Sequence, residues 1–330
     1  MRVAVFSTKS YDREYLDKMN VDGQHNLTYF DASLNSNTTN LTLGFDAVCV
    51  FVNDKVERGT IEKLAENGIK VIALRCAGFN NVDIDAAKEK KITVVRVPAY
   101  SPQAVAEHAV ALILTLNRKT HKAYNRIRES NFSLDKLIGF NLYQKTVGVI
   151  GTGKIGSVFC EIMLGFGCKV IAYDIQQSDG LKEKGVQYKT LDETLHNSDI
   201  ISIHCPLNPG THHLINAAAF ARIKKGAMII NTSRGAVINT ADAIEALKNG
   251  TLGYLGIDAY EQEENLFFKD LSESIIQDEA ILRLMSFHNV LITAHQGFFT
   301  KEAMDQIATT TLKSLSDFEK GLTLENEVSN

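Results

Sequence analysis

The sequence predicts an α/β protein made of two doubly wound parallel sheets, and three observations carry that prediction. Short apolar runs rich in β-branched residues alternate with helical patterns almost throughout, which is the signature of βα units with helices on both faces of a sheet. Two such series occur, one on each side of a long apolar segment over 102–117. The chain has 330 residues, enough for two domains at roughly 150 residues each.

In the first series, strands are expected over 2–6, 47–52, 70–75 and 93–97, with helices near 11–19, 60–67 and 84–90. The stretch 31–40 is polar, lacks periodicity and is read as a loop. The segment 102–117 is apolar nearly all round and is expected to lie buried between layers or subunits. In the second series, strands are expected over 146–150, 169–173, 199–204, 227–231, 255–258 and 290–293, which completes a doubly wound domain by itself. A last helix over 301–319 follows that finished set and is expected to return to the first domain. The expected domains are therefore 1–100 plus 300–330, discontinuous, and 101–299. Of the four prolines, Pro98 and Pro102 fall at the junction, where a fixed φ is consistent with a defined hinge, and Pro206 and Pro209 share one loop.

Composition narrows the class. Hydrophobic residues make up 45% and charged residues 22%, ordinary values for a globular protein. A net charge of -4 argues against a nucleic-acid partner. The amino-terminal apolar run is too short for a signal peptide, and no stretch approaches the roughly 18 apolar residues of a membrane span. Cys49, Cys76, Cys160, Cys168 and Cys205 are odd in number, scattered and without a C-x-x-C pair, as expected of buried thiols in a reducing compartment. A cytoplasmic protein is expected, needing neither disulfides nor a metal to fold.

The strand over 146–150 leads directly into Gly151-Thr152-Gly153-Lys154-Ile155-Gly156 and then into a helical pattern. In that context Gly151 makes the tight turn, Gly153 lets backbone approach a pyrophosphate, and Gly156 permits close helix packing, with the anion at the helix amino terminus. Asp174 ends the next strand, about 20 residues on, where a carboxylate accepts hydrogen bonds from ribose hydroxyls. The same charge repels a 2′-phosphate, and Ile175-Gln176-Gln177 offers no arginine to receive one, so NAD is expected rather than NADP.

Open α/β sheets bind ligands at the carboxyl ends of their strands, and two further residues meet that condition. Arg234, in Asn231-Thr232-Ser233-Arg234-Gly235, offers a guanidinium suited to a substrate carboxylate. His295, in Thr293-Ala294-His295-Gln296-Gly297, is the side chain best suited to exchange a proton near neutrality. Glu263 follows the preceding strand and is placed to orient that histidine, although spacing alone does not choose among Glu261, Glu263 and Glu264.

These motifs, together with Arg75-Cys76-Ala77-Gly78-Phe79-Asn80-Asn81-Val82-Asp83 and Val97-Pro98-Ala99-Tyr100-Ser101-Pro102, resemble the D-isomer-specific 2-hydroxyacid dehydrogenases from end to end. The resemblance implies a flavodoxin-like substrate domain and a Rossmann NAD-binding domain with a cleft between them. It implies Arg234 as the substrate-binding arginine, which also borders the cofactor, His295 as general acid/base and Glu263 as its partner. It further implies that Ala77, Gly78 and Tyr100 contact the substrate, with Phe298 lining the side-chain pocket. For NAD it implies Lys154, Ile155, Asp174, Cys205, Pro206, Thr232, Ser233 and Asp258. Thr211 is also implied as a cofactor-binding residue, at a position where some relatives have asparagine, and Gly297 stands where relatives usually have alanine, which is expected to loosen the loop after His295.

The part of the family most resembled interconverts pyruvate and D-lactate in fermentation, so that pair is the expected substrate and product, with a homo-oligomer, dimer or tetramer, as the expected assembly. Another small D-2-hydroxy acid is the alternative substrate. A dinucleotide-sensing regulator on the same scaffold is the alternative class, disfavoured by the match of Tyr100 and Phe298 to a small-acid pocket. No nucleic-acid or membrane partner is expected.

Overall fold

The computed structural model describes residues 1–328. The chain divides into two compact units, Met1–Ser101 with Phe298–Asn330, and Pro102–Gly297.

The first unit is built on five parallel strands, β1 (Arg2–Val5), β2 (Asn26–Tyr29), β3 (Ala47–Val50), β4 (Val71–Leu74) and β5 (Thr93–Val95), in the order β2-β1-β3-β4-β5. The order reverses between β1 and β3, which makes the carboxyl ends of those strands the switch point of this sheet. Strands β3 and β4 are wholly buried apolar runs, as sequence patterning requires of central parallel strands. Sequence reading misses β2, because it is a polar edge strand, Asn-Leu-Thr-Tyr, with no fully buried alternation to mark it on both faces. The 31–40 segment is a loop, but Leu34 anchors it in the core at 0% exposure.

The terminal helix Lys301–Glu319 belongs to this unit. The Thr300 hydroxyl caps it by accepting from the Ala303 amide at 3.3 Å. Its Ala308, Leu312 and Leu315 then pack with Val3, Val5, Val71 and Ala73 on one face of the sheet, so the segment is held by apolar burial despite its distance along the chain.

Behind the sheet ends lies a buried ionic cluster. Arg75, 2% exposed, directs Nε to Asp12 at 3.2 Å and Nη2 to the Ser7 carbonyl at 2.9 Å, with its guanidinium over the Phe51 ring. Asp54 is fully buried and accepts from the Ser7 hydroxyl, the Leu34 amide and the Phe51 amide. The cluster ties the ends of β1, β3 and β4 together.

The second unit holds seven parallel strands, β6 (Thr146–Ile150), β7 (Lys169–Tyr173), β8 (Gln187–Tyr188), β9 (Ile200–Ile203), β10 (Ala227–Asn231), β11 (Leu252–Ile257) and β12 (Val290–Ile292). Their order is β12-β11-β10-β9-β6-β7-β8. The two-residue edge strand β8 and the Thr120–Arg128 helix, which has no fully buried residue, escape sequence reading for want of an apolar pattern. Apolar clusters fill both faces of the sheet, one around Phe159, Met163 and Ile113, the other around Ile201, Ile229 and Phe220.

Within one chain the Pro102–Arg118 helix is buried on one side, through Ala106, Ala109, Ile113 and Leu116, while Gln103, Glu107, Ala111 and Arg118 form an exposed stripe on the other.

Candidate active site

The sequence-predicted residues of the second unit fall along one edge of its sheet, at the carboxyl ends of neighbouring strands. Gly151 follows β6, Asp174 follows β7, Cys205 and Pro206 follow β9, Thr232 to Arg234 follow β10, Asp258 and Glu263 follow β11, and His295 follows β12. The spatial order β12-β11-β10-β9-β6-β7 therefore sets the proton-transfer and carboxylate-binding candidates beside one another and continues into the dinucleotide fingerprint.

The fingerprint is built for close backbone approach. Gly151 takes φ +92, and a Cβ there would meet the Cys205 amide nitrogen at 2.6 Å. A Cβ on Gly156 would sit 2.0 Å from the Gly151 carbonyl oxygen, so the Lys154–Gly165 helix packs on the turn only because this residue is glycine. Gly153 differs, since a Cβ there would meet no protein atom within 4 Å. The space it leaves lies where the amino terminus of the helix, capped by no side chain, offers amides to an anion.

Asp174 accepts from the Thr152 amide at 2.5 Å and the Thr152 hydroxyl at 3.1 Å through Oδ2, and from the Gln176 amide at 2.9 Å through Oδ1. A carboxylate has about four acceptor sites, so hydroxyls of a ribose can still be received. The Thr232 hydroxyl oxygen is buried with no hydrogen-bond partner among the described residues. An orphaned hydroxyl, an open glycine and a fingerprint carboxylate on one sheet edge together fit a dinucleotide.

Not every cofactor candidate reaches outward. The Ser233 hydroxyl donates to the Cys205 carbonyl, and the Thr211 hydroxyl donates to the Pro206 carbonyl at 2.6 Å while accepting from the Asn208 amide at 2.8 Å. Thr211 thus braces its own loop, and Ser233 ties the loop after β10 to the one after β9. The Cys205 thiol is buried, and burial pushes it up to about 11, so it is a neutral packing group.

Arg234 is half-buried, with Nη1 donating to the Ser233 carbonyl at 2.9 Å. Its turn is held by fully buried Asn231, whose Oδ1 accepts from the Ser233 amide at 3.0 Å and whose Nδ2 donates to the Arg234 carbonyl at 3.0 Å. A Cβ on Gly235 would overlap the Tyr260 carbonyl carbon at 2.0 Å, so that glycine seats the turn against the loop that carries Glu263.

The choice that spacing could not make is resolved by geometry. Glu263 Oε1 lies 2.9 Å from His295 Nδ1, and Glu263 Oε2 accepts from the Tyr260 amide at 3.0 Å. Glu261 is engaged elsewhere, 2.6 Å from His213 Nε2 and accepting from the Thr240 amide. His295 keeps 16% and Glu263 21% of side-chain exposure, so the ring is oriented yet reachable. The histidine has φ 52, a left-handed conformation that non-glycine residues adopt only when their surroundings impose it.

Asp258 imposes it. Its backbone carbonyl accepts from the His295 amide at 2.8 Å, Oδ1 accepts from the Thr293 hydroxyl and the Gln296 amide, and Oδ2 accepts from the Gly297 amide at 2.8 Å. Burial alone would raise this carboxyl, but hydrogen bonds from His108, Thr293 and Gln296 outweigh it and hold Asp258 at about 2. The Gly297 amide is thus anchored, and a Cβ there would press on Asp258 Oδ2 at 3.0 Å. His108, with Nε2 3.0 Å from the Thr293 hydroxyl and 3.2 Å from Asp258 Oδ1, completes the brace. Sequence reading missed His108 and Asn231 as supports, because a histidine or asparagine bonding to a loop has no signature in spacing.

In the first unit, Ala77 and Gly78 follow β4. The Ala77 carbonyl accepts from Arg96 and the Gly78 carbonyl from the Cys76 thiol, which fixes the turn. Tyr100 and Phe298 lie 6.1 Å apart between ring centroids, and Phe51, which the sequence did not single out, stands 6.0 Å from Phe298.

Comparison with known proteins agrees with this geometry. Residues 110–297 match the family model of the D-isomer specific 2-hydroxyacid dehydrogenase NAD binding domain. A D-lactate dehydrogenase of Escherichia coli (strain K12) is 53% identical over 328 residues, spanning 99% of this chain and 100% of that one. Among solved structures, the apo form of D-lactate dehydrogenase from Escherichia coli superposes with a TM-score of 0.92 at 50% identity, covering 100% of both chains. A pyruvate reductase of Chlamydomonas reinhardtii superposes at 0.94 with 42% identity, covering 99% of this chain and 98% of that one. With a dinucleotide fingerprint, a histidine–glutamate pair and an arginine ordered along one sheet edge, the chain is an NAD-dependent oxidoreductase belonging to the D-isomer-specific 2-hydroxyacid dehydrogenase family.

Proposed function

We propose that this enzyme reduces pyruvate to D-lactate in fermentation, with Met1–Ser101 and Phe298–Asn330 forming the substrate domain and Pro102–Gly297 holding the cofactor. The observation that carries the reading is the 2.9 Å contact between Glu263 Oε1, after β11, and His295 Nδ1, after β12, beside the strand β10 that Arg234 follows. Arg234 fixes the keto-acid carboxylate, because a guanidinium matches the planar two-oxygen geometry. NADH, when bound, supplies a hydride to the carbonyl carbon. His295, held through Nδ1, directs Nε2 to the carbonyl oxygen and delivers the proton that balances the new alkoxide charge. Glu263 stabilises the imidazolium before transfer and fixes the Nδ1–H tautomer after it. In the reverse direction the neutral ring takes the hydroxyl proton from the D-2-hydroxy acid.

Lys154, Ile155 and the glycines of the fingerprint would hold the pyrophosphate, Asp174 the adenosine ribose, and Thr232 the part of the cofactor nearer the reaction. Ala77, Gly78 and Tyr100 would receive the substrate, and Phe298, packed near Tyr100 and Phe51, would restrict its side chain to a small group. The small-acid reading is tested with a panel of 2-keto acids of increasing side chain. The highest kcat/KM is expected for pyruvate, and a preference for a branched or aromatic acid would assign the enzyme to another substrate.

A homo-oligomer is supported by exposed apolar side chains on the Thr120–Arg128 helix, Tyr124 and Ile127, and along the segment from there to β6, Phe132, Leu134, Ile138 and Tyr143. Five free, buried cysteines favour the reducing cytoplasm.

A further inference from the structure

At the end of the second sheet opposite the candidate active site there is a cavity of about 220 Å³, several times the space one water needs. It is lined by Leu116, Lys119, His121, Gly226, Gly253, Tyr254, His288 and Asn289. Gly226 precedes β10, Gly253 is the second residue of β11 and Asn289 precedes β12, so the cavity sits at the amino ends of the strands whose carboxyl ends lead to Arg234, Glu263 and His295. With strands of three to six residues between them, the two sites are separated by roughly 10–20 Å.

The cavity is chemically one-sided. Its lining contains a lysine and two histidines and no carboxylate. Lys122 adds a second ammonium at its margin, donating to the His288 carbonyl. Lys119 is held in place by the Lys136 and Ile138 carbonyls and takes the left-handed φ of 52 at the break between two helices. Asp199, which precedes β9 at this end of the sheet, is already occupied by Lys224 and the Thr146 amide. His121 Nδ1 is buried with no hydrogen-bond partner among the described residues. The Lys122 ammonium lies below its ordinary value because of burial, Lys119 and Arg126, and the His121 ring lies below its own because of burial and Lys122. The two lysines thus meet no carboxylate in the cavity lining, and an anion seated there would favour their charged forms. The opposite wall is bare backbone: a Cβ on Gly253 would lie 2.2 Å from the Gly226 carbonyl oxygen, and the β10–β11 register shifts between Ala227 and Met228 at this point.

We propose that this cavity is a binding site for a compact polyanion, a phosphate or small polycarboxylate, distinct from the cofactor and substrate sites. Lys119, Lys122 and His121 are the groups that recognise it, and exposed His288 is the side from which it enters.

The test is a titration of inorganic phosphate into full-length protein carrying 13C-labelled histidine and saturated with NADH, with chloride keeping ionic strength constant and pH fixed. The His121 and His288 ring signals, assigned through His121→Gln and His288→Gln, are expected to move together along one saturating curve. His121→Gln and Lys122→Met should each weaken phosphate by about tenfold or more, the loss of one charge-assisted hydrogen bond. Both variants should reduce pyruvate normally without phosphate, which shows them folded, and either alone suffices if the other misfolds. A citrate arm separates the sources: tighter citrate binding assigns a polycarboxylate, tighter phosphate binding a phosphate, and either supports the site. Equal shifts with phosphate and chloride, or saturable binding unchanged by both substitutions, would overturn it. Because the readout is binding remote from Arg234, failure here leaves the proposed reaction untouched.

Discussion

Replacing Glu263 with glutamine isolates the carboxylate charge behind His295. In the protein, Oε1 faces His295 Nδ1 at 2.9 Å and Oε2 accepts from the Tyr260 amide at 3.0 Å, so the carboxylate serves two donors with two acceptors. An amide of the same shape offers one acceptor and one donor group. Whichever way it turns, either the Tyr260 amide or the His295 ring faces an NH2. The charge-assisted hydrogen bond to the imidazolium contributes about 1.5–3 kcal/mol, and each 1.4 kcal/mol is tenfold in rate, so Glu263→Gln should lower kcat/KM for pyruvate by roughly 10- to 150-fold. Low exposure of both side chains, 16% and 21%, places the effect above that of a surface pair. The assay is steady-state kinetics in both directions, with NADH fluorescence titration on the same preparation to show that cofactor binding is retained. Glu261→Gln and the exposed Glu264→Gln are internal controls. The first perturbs the contact with His213 and should lower stability more than kcat/KM. Near-normal turnover by Glu263→Gln, with the loss appearing in Glu261→Gln, would refute the pairing.

Four further outcomes are expected. Asp174→Ala should weaken NADH by on the order of ten- to a hundredfold and narrow the preference over NADPH in paired KM measurements, since it removes ribose acceptors and a charge that repels a 2′-phosphate. Arg234→Lys should bind NADH almost normally yet lose most of kcat/KM for pyruvate, because an ammonium cannot form the two-pronged carboxylate contact. Arg75→Met should destabilise the first unit by about 3–5 kcal/mol in urea unfolding, since it strands Asp12 and Asp54 in the core. Desolvation pushes the His204 imidazole down to about 3. The unfolded ring titrates near 6.5, so between roughly pH 6.5 and 3 the unfolded chain binds the extra proton and stability falls as pH falls. His204→Gln should flatten that part of the stability profile, read from urea midpoints at several pH values.

The sheets were readable because their central strands are uninterrupted apolar runs, and β6, β7 and β10 end where the sequence pattern ends. Edge strands β2 and β8 were not, since one is polar and the other only two residues long. In the Pro102–Arg118 helix alanines fall on both sides, and alanine does not distinguish the buried face at Ala106 and Ala109 from the exposed stripe at Ala111. At the candidate site, residue type and strand-end position were enough to single out His295 and Arg234, while the carboxylate that meets the histidine required coordinates, because three glutamates lie within four positions. The brace made by Asp258 and His108 was hidden for a deeper reason. Its hydrogen bonds join a helix, a strand end and a loop that are far apart in sequence, and no local pattern records them.

The central claim is tested most directly by chiral analysis of the product formed when purified enzyme turns over pyruvate with NADH. D-lactate should accumulate with one NADH consumed per molecule, in wild type and, at a reduced rate, in Glu263→Gln. L-lactate, a racemic product, or NADH binding without turnover would contradict the account.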